Sequence, residues 1–210
     1  MTTSTEGLEG NVSVNILAEF VEVAIHCILY NRNVYPQGTF EKRIKYNVPV
    51  QMCLHPDVCS YITNIIESLS ALLAEGRVNK ISVVILQEET AKPIERFVLE
   101  IGELRERWKE TDPHLFQTEQ ALRGFLLKLN VSDALLQPSV KGTTWTVHID
   151  TLESTLVAVE EKFIQKDFPW VEADDQQKTM EKAKMVPIKS MTTDILNMQM
   201  YVEEISKDSS

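Results

Sequence analysis

Residues 12–30 read as a helix that is apolar nearly all round, with Leu17, Phe20, Val21, Ala24, Ile25 and Ile28 at helical spacing. Such a helix cannot lie on a surface. Other elements must pack around most of its circumference, so the chain needs a fold built about a central helix. The polar exceptions Asn15, Glu19, Glu22 and His26 fall on one narrow stripe, which predicts a single wet edge. With 210 residues, 43% of them apolar, the chain has the material for that core within a single domain.

What surrounds the helix is also patterned. His55-Pro56-Asp57 is a helix start, and Val58, Ile62, Ile65, Ile66, Leu69 and Leu73 continue at helical spacing as far as Gly76. The continuous run Ile81–Leu86 predicts a buried strand. After a polar turn, Phe97, Leu99 and Ile101 alternate with Arg96, Val98 and Glu100, so the two predict an antiparallel hairpin at a sheet's centre. Asp112-Pro113 opens a third helix whose inner face is Leu115, Leu122, Phe125, Leu126 and Leu129, with a charged exposed loop expected over residues 102–111. Trp145, Val147 and Ile149 alternate with Thr144, Thr146 and His148, a third core strand. The fold class is α+β.

Residues 151–210 differ. Short apolar clusters (Phe163-Ile164, Phe168-Pro169-Trp170, Met185–Ile188, Ile195–Val202) are separated by charged stretches. An arm without a helix of its own must lie on something else, either the main sheet or a partner. Leu196, Met198, Met200 and Val202 alternate with Asn197, Gln199, Tyr201 and Glu203, which is strand period. On that reading Leu196, Met198 and Met200 face the sheet, and Gln199 and Tyr201 face outward.

The net charge of -10, spread evenly along the chain, opposes binding to nucleic acid or an anionic membrane surface. The cluster Lys42, Arg43 and Lys45 reads as a solvated hairpin face. Three cysteines suit reduced thiols in the cytosol or nucleus, residues 1–10 carry no secretory pattern, and the apolar runs are read as too short to span a bilayer. The sequence contains no dinucleotide or phosphate-binding loop, no nucleophile elbow and no paired metal-binding histidines. Cys53, His55 and Cys59 do not have zinc-knuckle spacing. No catalytic residue, metal or cofactor is therefore assigned.

Four segments carry a resemblance: Tyr30-Asn31-Arg32-Asn33-Val34-Tyr35-Pro36, Lys45-Tyr46-Asn47-Val48-Pro49-Val50-Gln51-Met52, Lys166-Asp167-Phe168-Pro169-Trp170, and residues 187–196, Pro-Ile-Lys-Ser-Met-Thr-Thr-Asp-Ile-Leu. In this order and spacing they resemble the HORMA family. Within it they are similar to the Mad2-like (Mad2B-type) adaptor subunits of translesion DNA polymerase zeta. The resemblance implies three helices packed on an antiparallel sheet and a C-terminal "safety belt" that closes over a partner peptide. It implies one HORMA domain over 12–205, with a core at 12–150 and the belt at 151–205, between flexible ends at 1–11 and 206–210.

The resemblance further implies that Tyr61 and Trp170, with Tyr35, grip a proline-bearing peptide of the polymerase catalytic subunit. Met185 (leucine is usual there), Pro187, Gln199 and Tyr201 would dock the C-terminal domain of a Rev1-type deoxycytidyl transferase. Arg123 would lie on a HORMA homodimer surface, near an acidic family position occupied here by Asn33. The implied function is a non-catalytic adaptor in translesion synthesis, nuclear and also cytoplasmic, with roles in double-strand-break repair choice and the cell cycle. Further implied partners are end-protection (shieldin-type) subunits, anaphase-promoting-complex activators and an AAA+ remodelling ATPase. A spindle-checkpoint protein of the Mad2 type is the alternative.

Overall fold

A computed structural model describes residues 12–104, 112–151, 170–173, 180, 182–193 and 196–205. Three helices, α1 (Val12–Asn31), α2 (Pro56–Ala74) and α3 (Asp112–Asn130), accompany seven strands. Strands β1 (Phe40–Lys45) and β2 (Val48–Cys53) form a separate two-stranded ribbon. Strands β3 (Val78–Gln87), β4 (Pro93–Leu104), β5 (Thr143–Thr151), β6 (Ala183–Thr192) and β7 (Leu196–Ile205) form one sheet in the order β5-β3-β4-β7-β6. Every pairing is antiparallel.

The expected central helix is α1. Phe20, Val23, Ile25 and Leu29 are fully buried, and Phe20 meets the rings of Tyr46 from the ribbon and Phe125 from α3 edge-on. Contrary to the sequence reading, Val14–Asn31 is long and apolar enough to cross a membrane by length and composition; it is instead largely buried within the protein as a core helix. The predicted wet stripe holds only in part. Asn15 and Glu19 are exposed, whereas His26 is only 3% exposed and its Nδ1 accepts the Cys53 backbone N–H at 3.1 Å. Burial holds His26 down at about 4, so it is a neutral tie between α1 and β2.

Chain reversals follow local chemistry. Asn33 (φ 54) ends α1: its N–H reaches the Tyr30 carbonyl and the Val34 N–H reaches that of Leu29, the paired bonds of a left-handed helix cap. Asn33 is thus the stop that turns the chain toward Tyr35. Gly76 (φ 65) ends α2 the same way, and Tyr46 and Asn47, both at positive φ, make the two-residue turn of the β1–β2 ribbon.

The sheet's helix-facing side carries Ile81, Val83 and Ile85 on β3, Phe97, Leu99 and Ile101 on β4, and Trp145 and Val147 on β5. From the arm, Leu196, Met198, Met200 and Val202 join it; the strand period holds, but because β7 pairs beside β4 within the sheet these residues face the helices rather than the sheet as expected. Gly102 allows β7 to approach β4, because a Cβ there would lie 3.0 Å from the Asn197 Cβ. Lys189 of β6 crosses over Gly124 of α3 and places its ammonium 5.8 Å from the Phe125 ring centre. Residues 102–104, expected in a loop, continue β4 instead. The expected flexible ends 1–11 and 206–210, the charged residues 105–111 and the arm clusters at 163–164 and 168–169 lie outside the described residues.

Candidate functional site

Strand β5 stands at one end of the sheet order, and among the described residues no strand pairs with its outer edge. An edge with open backbone groups can add another strand. The ground beside it is aromatic. The Trp145 indole N–H of β5 donates to the Tyr35 hydroxyl at 2.9 Å, and the Tyr61 ring of α2 packs edge-on to Trp145 at 5.3 Å. Tyr61 also hydrogen-bonds Thr146 and is 38% exposed, while Trp145 is buried. Tyr35 is half-buried in the segment that Asn33 redirects, and Trp170 packs, half-buried, against the same core.

Of the three expected peptide-gripping residues, Tyr35 and Tyr61 are brought together through Trp145. Sequence reading placed Trp145 in the core, because its alternation with Thr144 and Thr146 shows only that it faces inward. What it could not show is that β5 ends the sheet order among the described residues.

The four expected docking residues also converge. Pro187 of β6 is directly opposite Tyr201 of β7, and Met185 is opposite Glu203, so Met185, Pro187, Gln199 and Tyr201 share the face turned away from the helices. Met185 is 58% exposed, and Pro187 and Gln199 are exposed as well. Tyr201 departs from expectation. It lies on the outward face but is only 8% exposed, and its hydroxyl hydrogen-bonds Lys80 of β3. Gln199 donates to the Glu100 carboxylate of β4 at 2.7 Å, and Lys80 and Glu100 are themselves cross-strand partners. The arm's outward face is therefore buttressed by two core residues that sequence reading missed. Their signal was the cross-strand register of β3 and β4, which periodicity alone does not give. Arg123 lies half-buried on α3.

Reactive groups are committed elsewhere. The Cys59 thiol donates to the Cys53 carbonyl at 3.0 Å, and burial pushes the Cys27 thiol up to about 12. Among the described residues, no group of three or more His, Cys, Asp and Glu side chains is placed to hold a metal ion.

A family profile described as the HORMA domain matches residues 13–121, more than half of the chain. The chain belongs to the HORMA family. It is 46% identical over 195 residues to the human protein named mitotic spindle assembly checkpoint protein MAD2B, covering 93% of this chain and 92% of that one. It is 31% identical over 211 residues to the DNA polymerase zeta processivity subunit of Arabidopsis thaliana, covering 98% and 92%. Among solved structures it superposes on a chain of the mitotic checkpoint complex with a TM-score of 0.77 at 18% identity, covering 93% of this chain and 99% of that one. The fold is thus a HORMA fold of the α+β class, with β6 and β7 as the described part of the C-terminal arm docked on β4.

Proposed function

We propose that this HORMA protein is a non-catalytic adaptor of DNA polymerase zeta. It would clamp a proline-bearing peptide of the catalytic subunit and present its docked arm to the C-terminal domain of a Rev1-type deoxycytidyl transferase. The observation that carries the clamp is the edge of β5 beside Tyr35, Tyr61 and Trp145. A peptide added there gains main-chain hydrogen bonds from the edge and side-chain selection from the rings. Proline suits such a site, since its restricted backbone loses little entropy and its ring stacks on aromatic faces. Trp170 is assigned to the same grip. The polymerase assignment is supported by the name of the Arabidopsis relative.

The transferase is assigned to the opposite face of the arm, where Met185 and Pro187 are exposed beside Gln199 and Tyr201. The two ligands therefore occupy different faces and do not compete. Arg123 is assigned to a HORMA homodimer surface. Cellular sites follow from the role: the nucleus, where damaged DNA is copied, and also the cytoplasm. End-protection subunits, anaphase-promoting-complex activators and an AAA+ remodelling ATPase are further partners of this reading, through repair choice and cell-cycle control. The human relative's name favours a second reading, a spindle-checkpoint role.

The test is titration calorimetry of the whole chain with a proline-bearing peptide from the polymerase catalytic subunit, then with the transferase C-terminal domain in the presence of saturating peptide. The adaptor reading expects both to bind. Failure of the polymerase peptide to bind, alongside binding of a checkpoint-activator peptide, would transfer the assignment to the second reading.

A further inference from the structure

One buried cluster plays no part in either binding face. Arg32, just past α1, is 2% exposed. Its guanidinium forks onto Glu95 of β4, with Nε donating to Oε2 at 2.7 Å and Nη2 donating to Oε1. Nη1 donates to Asp133, and Nη2 also donates to the Gln137 carbonyl at 2.7 Å. Arg32 and Glu95 thus satisfy each other, and Asp133 already adds a second carboxylate to the one cation.

Strand β7 brings a third. Glu204 is directly opposite Glu95 in the β4–β7 register, and the two are 3% and 5% exposed. Like charges directly opposed across antiparallel strands repel, and burial strengthens the repulsion. The Glu204 carboxylate accepts the Gln137 backbone N–H at 2.9 Å, and no ion pair joins it to Arg32. Its cross-strand neighbour on β6, Lys184, is exposed and makes no ion pair with it, and the adjacent Arg96 pairs with Glu203. Burial also raises the Glu95 carboxyl, against the pull of Arg32 and with a further push from Glu204.

We propose that Glu204 is a built-in release element: a carboxylate that β7 must carry into a buried, already anionic cluster, so that the docked β6–β7 hairpin is held less firmly than its apolar face alone would hold it. Lifting the hairpin returns Glu204 to water and leaves Arg32 paired with Glu95 and Asp133. The apolar residues Met198, Met200 and Val202 close the arm, and Glu204 keeps it openable. Under the adaptor reading this sets how quickly a clamped partner can leave, although the device itself needs no partner.

The test is hydrogen exchange, read by mass spectrometry on the full chain without partner at fixed pH. Glu204→Gln keeps the size and the acceptor for the Gln137 N–H and removes the charge. The β6 and β7 amides should then exchange roughly fivefold more slowly, with β3 unchanged. Unchanged exchange would reduce Glu204 to a backbone acceptor, and faster exchange would make its charge an attractive partner of Arg32; either overturns the proposal. The companion is Glu95→Gln, in whose background Glu204 faces a less anionic cluster, so that Glu204→Gln should lose its gain. A gain of equal size in both backgrounds would show that the two carboxylates do not interact. Should Glu95→Gln fail to fold, Asp133→Asn, at a more exposed position, serves in its place and should shrink the gain. The test involves no ligand, so its failure and the failure of the adaptor reading are separate results.

Discussion

One edge of the sheet is finished by the chain itself: the β6–β7 hairpin pairs along β4 and buries Met198, Met200 and Val202 against the helices. The other edge, at β5, has no strand beyond it among the described residues and is bordered by Tyr35, Tyr61 and the buried Trp145. The first edge invests aliphatic burial, which is non-directional and stabilises without selecting a ligand. The second invests aromatic rings with polar tips, fixed by a hydrogen bond and an edge-on contact, which suits recognition. Substitutions at the first edge should therefore be read mainly in stability, and those at the second mainly in affinity.

The sharpest way to break this comparison is Met198→Ala. The side chain is 1% exposed in the core. Truncation should cost about 2–5 kcal/mol in denaturant unfolding, as large-to-small core changes do. A cost below about 1 kcal/mol would make the hairpin a removable rim rather than part of the core.

Acid should weaken both edges together, because His26 ties α1 to β2 behind the sheet. Its folded value of about 4 lies below the ordinary 6.5, so the unfolded chain takes up the proton first. The contribution is complete above about 6.5 and is lost as pH falls through the window to about 4, on the order of 3 kcal/mol in all. Urea unfolding of wild type and His26→Gln across that window measures it; equal slopes in both would exclude His26 as the source.

On the peptide-grip reading, Tyr61→Ala beside the β5 edge and Trp170→Ala should each remove about 2 kcal/mol or more of peptide binding while costing less than that in folding stability. Collapse of thermal stability with affinity intact would place both rings on the stabilising side of the comparison. Trp145→Phe should act in the same direction by about 1 kcal/mol or more, because it keeps an aromatic side chain but loses the indole N–H that fixes Tyr35 and part of the buried indole bulk.

Much of this arrangement is legible in periodicity. The all-round apolar helix, the start at Pro56, the β3–β4 hairpin and the inward side of β7 each follow from spacing and a local signal. What periodicity leaves out is what lies across from a given face. The stripe through Glu19 and His26 is one stripe in angle, yet His26 is buried against the Cys53 backbone of β2, whereas Glu19 stays exposed and pairs with Lys45 near the ribbon's turn. Trp145 reads as core because alternation reports a side and not an edge. Arg32 has no pattern at all: a single charge after a helix becomes a buried hub only because β4 and residues 133–137 arrive around it. Of the candidate site, the residue types were legible from the resemblance, whereas the supporting partners Trp145, Lys80 and Glu100 required the register.

The smallest expected effect tests those supports. Tyr201 lies on the outward face but is 8% exposed, so it cannot offer a partner its whole ring. Truncating it to Ala should still cost roughly 1–3 kcal/mol of transferase binding, as a partly covered aromatic anchor does, and leave peptide affinity nearly unchanged. Lys80 does not stand among the four residues proposed for docking, but its ammonium hydrogen-bonds the Tyr201 hydroxyl and lies 3.9 Å from the Glu100 carboxylate that holds Gln199. A hydrogen bond of this kind contributes about 1 kcal/mol net, and partial solvent exposure lowers it. Lys80→Ala should therefore weaken transferase binding by under about 1 kcal/mol, entirely through Tyr201. Calorimetry on Lys80→Ala, Tyr201→Phe and the double variant makes this a cycle. If Lys80 only positions the hydroxyl, its loss should have no further effect once Tyr201 is Phe. Full additivity would instead mean that Lys80 touches the partner directly, and that the docking face extends from the arm onto the core strand β3.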